Sequence, residues 1–156
     1  MANTPLSHRD FSLEEKVLSI KKKFLTFSSP EQKYNEMMAM GRALLPLKSE
    51  EKTEKNLIRG CQSRLYLYSW GDKENIYFRA EADALISAGL AALLIAVYSG
   101  ESAEVILKRP PDFLQELGIY ASLSPNRSNG LAHIYLRMKQ DALKFFLRRE
   151  KQSSPV

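Results

Sequence analysis

Arg64-Leu65-Tyr66-Leu67-Tyr68-Ser69-Trp70, Gly71-Asp72-Lys73-Glu74-Asn75 and Ile76-Tyr77-Phe78-Arg79-Ala80 follow one another in the middle of the chain. The first and third segments are rich in aromatic and branched residues, which suit a pleated surface. The second is a turn of glycine and short polar residues. The three together predict an antiparallel hairpin. Leu57-Ile58, just upstream, is expected to add a short third strand. The alternating Tyr66, Tyr68 and Trp70 are expected to pack on helices as part of the core.

Both flanks of the hairpin read as helices. Ser12 followed by Glu15 has the form of a capping box, and Val17, Ile20, Phe24 and Phe27 recur at helical spacing. Ser29-Pro30 predicts a second start, with serine as N-cap and proline at the first helical position. Tyr34, Met37, Met38 and Leu44 are expected to make its inner face, and Gly41 is expected to loosen or end it. Lys48 to Lys55 is a charged connector. Beyond the hairpin, Asp83 is expected to cap an uncharged run, Ala84 to Val97, which is shorter than the ~20 residues that span a bilayer and reads as a core helix. Ser102 and Pro110-Pro111-Asp112 open two short helices, the second ending at Gly118. Ser124 to Gly130 reads as a turn, and a last helix is expected from about Asn129 to Arg149. Helices, a small sheet, then helices make an α+β domain. A single domain is expected over 1–156, with its core at about 11–149.

The chain has 156 residues, 44% of them hydrophobic and 26% charged, enough to bury a core without a disulfide or metal. Its net charge of +5 permits an acidic partner but singles out no nucleic acid. No dinucleotide or P-loop glycine motif is present. Met1 to Phe11 lacks the basic start and apolar run of a signal peptide, so neither export nor a membrane is expected.

The single cysteine, Cys61, limits the chemistry most. It cannot make an intrachain disulfide, a Cys-rich zinc site or, by itself, an iron–sulfur cluster. It fits a reducing compartment, most simply the cytoplasm. Gly60 precedes it and can set a sharp loop, while Arg59 and Arg64 would favour the thiolate. Burial as a small hydrophobe is the alternative. An ordinary thiol of pKa ~8.5 is about 3% ionised at pH 7, and lowering the pKa to ~6.5 raises that about 25-fold. Nucleophilicity meanwhile falls about 8-fold, so charge alone gains about 3-fold. Positioning must contribute the rest. A Cys–His hydrolase would need His133 as base, yet nothing in the sequence brings it to Cys61 and no third orienting group is evident. His133 reads as a boundary histidine and His8 as part of a frayed terminus.

Four segments in order carry a resemblance. Gly60-Cys61-Gln62-Ser63, preceded by Asn56, resembles the active-site segment of the SufE family of cysteine-desulfurase activators and sulfur acceptors. Lys33-Tyr34 with Met40-Gly41 and Leu45-Pro46 is similar to its N-terminal helical motif. Ala82-Asp83-Ala84 with Gly89-Leu90 is similar to its central helix, and Leu123 to Leu131 to its C-terminal signature. The departures are Tyr66, Ala82 and Lys33, where the family commonly has Trp, Ser and Arg. The resemblance implies a SufE/NifU (IscU-like) fold, a three-stranded antiparallel sheet covered by helices. It implies that Cys61 accepts persulfide sulfur from a SufS-like desulfurase and relays it to a SufBCD-like iron–sulfur scaffold. The pyridoxal phosphate belongs to the desulfurase, so no cofactor is expected here. Gly60, Gln62, Ser63, Asp83 and Arg127 would support the loop or the partner contact. The chain would act as monomer or homodimer, as a sulfur-transfer accessory rather than a stand-alone enzyme. A non-catalytic regulator of a desulfurase is the alternative.

Overall fold

A computed structural model describes residues 12–60, 63–119, 123 and 125–148, with 125–127 described by their backbone. Among the described residues six helices flank one hairpin: α1 (Leu13–Leu25), α2 (Pro30–Arg42), β1 (Leu65–Gly71), β2 (Ile76–Ala82), α3 (Leu85–Tyr98), α4 (Ala103–Lys108), α5 (Phe113–Glu116) and α6 (Pro125–Leu147). The helix starts follow the expected chemistry. Ser12, Ser29 and Ser102 each accept a hydrogen bond from the backbone amide three residues on. Pro30 occupies the first turn of α2, where its missing N–H costs nothing.

Helix α3 is the centre of the fold. It is apolar on nearly every side, with Leu90, Ala91, Leu93, Leu94 and Val97 all buried. It therefore has to be enclosed rather than docked by one stripe. Helix α2 covers it on one side, β2 and α6 on others, and α1 on a further one. The α2 contact is a backbone approach. A Cβ on Gly41 would lie 2.7 Å from the Gly89 amide nitrogen, and one on Gly89 would lie 2.5 Å from the Met37 carbonyl oxygen. Gly41 therefore does not end α2, which runs on to Arg42; it lets two helices touch. The Lys16 ammonium closes the far end of α3, donating to the carbonyls of Val97 and Ser99 and to Glu101 at 2.5 Å. A cation there satisfies carbonyls left over by the helix and suits its dipole.

The hairpin pairs Leu65 with Ala82, Leu67 with Ala80 and Ser69 with Phe78 on the core side. Among the described residues the sheet has two strands, not three. Leu57 makes one isolated bridge to Tyr66, and Glu101 makes one to Ile76. The expected third strand is cut to a bridge because residues 54–56 turn as 3-10 helix immediately before it. Tyr66, Tyr68 and Trp70 take the face opposite the buried leucines. There Tyr68, Trp70 and Tyr77 stack at 5.6 Å centroid spacings with Arg79 over the indole, so the expected helix packing is corrected. Alternation alone does not say which face is inner. The leucines take the inner face, where they join the buried core that the helices supply.

Two further starts differ. Asp83 is not the cap of α3: that position is Ala84, without a side-chain cap. The last helix begins at Pro125, so 125–130 are its first turns rather than a loop. Proline and polar residues suit a first turn as well as they suit a loop, and the sequence does not separate the two.

The glycine contact sets the first test. Gly89→Ala should destabilise the protein by about 2–4 kcal/mol, because the added methyl meets fixed backbone rather than a movable side chain. Ala92→Gly on the same helix should cost about 1 kcal/mol. Urea unfolding of both variants measures the difference, and near-equal losses would mean that α2 shifts freely.

Candidate functional site

The candidate site is the loop between Ile58 and Leu65. Cys61 and Gln62 lie outside the described residues. The frame on either side of them is described. The loop is closed by the Ile58 amide, which donates to the Leu65 carbonyl at 2.8 Å. Six residues, 59–64, are thus strung between two paired feet. Gly60 has φ +94°, a region where a side chain is strained.

The downstream foot is tied to the start of α3. The Arg64 amide donates to Asp83 Oδ1 at 2.9 Å, and the Asp83 amide donates to the Arg64 carbonyl at 3.1 Å. Ser63 Oγ and Ser87 Oγ are 2.6 Å apart. Asp83 uses its carboxylate on the loop rather than on its helix. An aspartate one residue from a helix start reads equally well as a cap, and only the fold shows which amide it meets.

The upstream foot is tied to α6. Arg137 donates from Nη2 to the Lys55 carbonyl at 2.5 Å and from Nη1 to the Leu57 carbonyl at 3.5 Å. Its Nε donates to Asp141 at 3.1 Å. Asp141 is only 6% exposed, and its other oxygen accepts from Ser69 of β1. The charge is buried but fully paired, the condition under which a buried carboxylate is tolerated. Asn56 Nδ2 donates to the Glu51 carbonyl, bracing the same approach. Arg137 and Asp141 escaped the sequence reading. Their i,i+4 spacing was the available signal, but such pairs usually sit on solvated faces.

His133 lies one turn before Arg137, half-buried, with its ring against Gly60. A cleft of about 320 Å³ opens beside it, lined by Lys55, Arg59, Leu136, Arg137 and Gln140 among others. Sequence reasoning left His133 unconnected to the loop, and the structure brings the two together. Arg127 falls in the first turns of α6, and its side chain lies outside the described part of the structure. Among the described residues no group of three or more His, Cys, Asp or Glu could hold a metal ion.

On the outer sheet face Glu81 accepts from Lys52 Nζ and from the Leu47 amide, both at 2.9 Å. The Lys52 hydrogen bond is the larger cause that holds its carboxyl below the usual range, and the Leu47 amide adds to it. This ties the 47–52 segment to the sheet close to the downstream foot.

Comparison with known proteins identifies the family. Residues 18–142 match the model of the SufE family, described as an Fe-S metabolism associated domain, and the chain belongs to that family. It is 36% identical over 158 residues to SufE-like protein 1, chloroplastic/mitochondrial, of Arabidopsis thaliana, covering 98% of this chain and 43% of that protein's length. It is 29% identical to the sulfur acceptor protein CsdE of Escherichia coli K12, covering 84% of this chain and 90% of that one. The solution structure of a hypothetical protein from Thermus thermophilus shares the fold with a TM-score of 0.71 at 20% identity, over 85% of this chain and 97% of that one.

Two outcomes are expected. Asp83→Ala should lose about 1 kcal/mol and speed exchange of the Arg64 amide about fivefold, whereas Asp83→Asn keeps an acceptor and should lose less than half of that. Hydrogen exchange followed by NMR checks both. Glu81 has a lowered folded-state pKa, so its pairing stabilises above the ordinary carboxylate pKa of about 4.3 and is lost as pH falls through the lower folded value. In a carboxyl chemical-shift titration Glu81 should titrate below that reference, and Lys52→Met should raise it.

Proposed function

We propose that this protein accepts sulfur from a pyridoxal-phosphate-dependent cysteine desulfurase and activates that enzyme, with Cys61 as the acceptor. The observation that supports the reading most is the frame around position 61: the described residues before and after it are separately fastened, to α6 and to α3, and the sequence has its single cysteine between them. Family membership and the sulfur-acceptor name of the Escherichia coli relative support it.

The step is a thiol exchange. The Cys61 thiolate attacks the outer sulfur of the desulfurase's cysteine persulfide. A sulfur–sulfur bond forms at Cys61 while the desulfurase's own sulfur–sulfur bond breaks. The desulfurase cysteine leaves as a thiolate, and Cys61 carries the persulfide. No oxidant or reductant is consumed. Pyridoxal phosphate acts on the partner in releasing sulfur from L-cysteine, and this chain needs no cofactor of its own. Gly60 shapes the loop, Gln62 and Ser63 complete it, and Asp83 and Arg127 support the loop or the partner contact. The sulfur then passes to a SufBCD-like scaffold for iron–sulfur cluster assembly. The chain works as a monomer or homodimer in a reducing compartment, the cytoplasm in the simplest case. The Arabidopsis relative is named for chloroplast and mitochondrion.

The hydrolase alternative gains from the nearness of His133 to the loop. It lacks a third member, since among the described residues no carboxylate is hydrogen-bonded to that ring. The regulatory alternative makes Cys61 dispensable.

Incubation with the cognate desulfurase and L-cysteine, followed by intact mass without reductant, decides among these. The expected result is a reductant-sensitive gain of one sulfur atom (about 32 Da), absent from Cys61→Ser, together with loss of the variant's ability to raise desulfurase turnover. Equal stimulation by both forms, with no added sulfur, would establish the regulator instead.

A further inference from the structure

We propose that the outer face of α6 is a docking surface for an amphipathic helix of another protein, one whose flanks are acidic. The surface is distinct from position 61, and its use does not depend on sulfur transfer.

Helix α6 buries one face and leaves the other bare. Leu131, Ile134, Met138, Ala142 and Phe145 turn into the core. On the opposite side Leu136, Leu143, Phe146 and Leu147 stay between 45% and 69% exposed. They are four of the seven large hydrophobic residues exposed among the described residues, so the exposure is concentrated on one helix rather than scattered. Leu136, Gln140, Leu143 and Leu147 follow one another at spacings of four, three and four residues. That is the a/d seam of a two-helix contact, with Gln140 as its polar member. It runs for three turns, about 16 Å.

The residues beside such a seam choose the partner by charge. Here they are Arg137, Lys139, Lys144 and Phe146. Arg137 is engaged in the frame and neutralised by Asp141. Lys139 lies over the Tyr135 ring and Lys144 is exposed, and among the described residues neither is paired with a carboxylate. The acid of α6 is Asp141, which is buried and already bonded to Arg137 and Ser69. The seam is therefore apolar with cations at its sides and no exposed carboxylate on its own helix. Acidic flanks on the partner complement it.

The other occupants fit less well. A second copy of α6 would set Lys139 against Lys144 in a parallel pair and lysine against lysine in an antiparallel one. Either arrangement brings like charges together. A bilayer would meet Gln140 in the middle of the seam. At the same end Leu136 and Gln140 line the cleft of about 320 Å³, a concavity that a flat lipid surface leaves unfilled and a side chain of a docked helix can enter. Lys55 and Arg59 also line that cleft and outweigh Glu54, so the positive charge continues from the seam into it.

Binding is tested on the full chain by fluorescence anisotropy. The probe is a labelled three-heptad peptide with leucine at both seam positions and glutamate at both flanking positions. The expected result is saturable binding that weakens as salt rises from about 0.05 to 0.5 M. Leu143→Ser together with Leu147→Ser should weaken it at least about tenfold. Both positions are exposed, so the melting temperature should hold. Lys139→Glu together with Lys144→Glu should weaken it about tenfold and turn the preference toward the same peptide with lysine at its flanks.

Absence of saturable binding, equal binding of the glutamate- and lysine-flanked peptides by the unaltered chain, or indifference to the two leucine replacements would overturn the proposal. Dimerisation in sedimentation that the two leucine replacements abolish would also overturn it, giving the face to a second copy. Leucine-dependent sedimentation with phosphatidylserine vesicles, without peptide binding, would give it to a membrane instead.

Discussion

Helix α3 has no polar face, and the rest of the molecule is arranged around that constraint. An all-apolar helix in a chain of this size must be covered from several directions at once. The close approach of α2 is possible because Gly41 and Gly89 bring backbone against backbone. Met37, from the same turn region of α2, is fully buried against it. The hairpin and α6 complete the enclosure, and Lys16 seals the carbonyl end. The start of α3 is then a fixed point on the surface, and it is there that Asp83 and Ser87 reach the loop.

The loop thus inherits its position from two buried elements. Its downstream foot is bonded to the beginning of the most buried helix, and its upstream foot to the helix that packs beside it. The Arg137–Asp141–Ser69 chain links α6, the 3-10 turn and β1 in one hydrogen-bonded run. Such a run is stable only when every member is satisfied, because a buried carboxylate without its partner is costly. Moving one foot would therefore break bonds in the frame rather than only in the loop.

Much of this is legible in the sequence. The hairpin, the serine caps and the enclosed apolar helix follow from local rules, in which each residue type answers to its neighbours within a turn. The readings that fail depend on what lies opposite. Tyr66, Tyr68 and Trp70 alternate correctly, but alternation does not choose the buried face. Leu57 pairs as expected, yet the 3-10 turn before it leaves no length for a strand. Asp83 and Gly41 look like helix-end residues because that role is local, and both act across the fold instead. His133 has no local signature and the Arg137–Asp141 pair has only its i,i+4 spacing, since the groups that give them their place in the frame are more than seventy residues away. The thiol stands out by being alone, and its frame emerges only on folding.

The simplicity of the site follows from a comparison of magnitudes. Tuning a thiol by two pKa units changes its reactivity at neutral pH only about threefold, because basicity and nucleophilicity fall together. Presenting it in a fixed place draws on the much larger entropic advantage of pre-oriented reactants, about 7–11 kcal/mol at the extreme. For the sulfur-acceptor role proposed above, an elaborate electrostatic pocket would therefore add little and a short loop with fastened ends much. The anchors match that expectation: most are hydrogen bonds to backbone at the feet, made by Asp83, Arg137 and the Ile58 amide. The backbone at the two feet is what they fix.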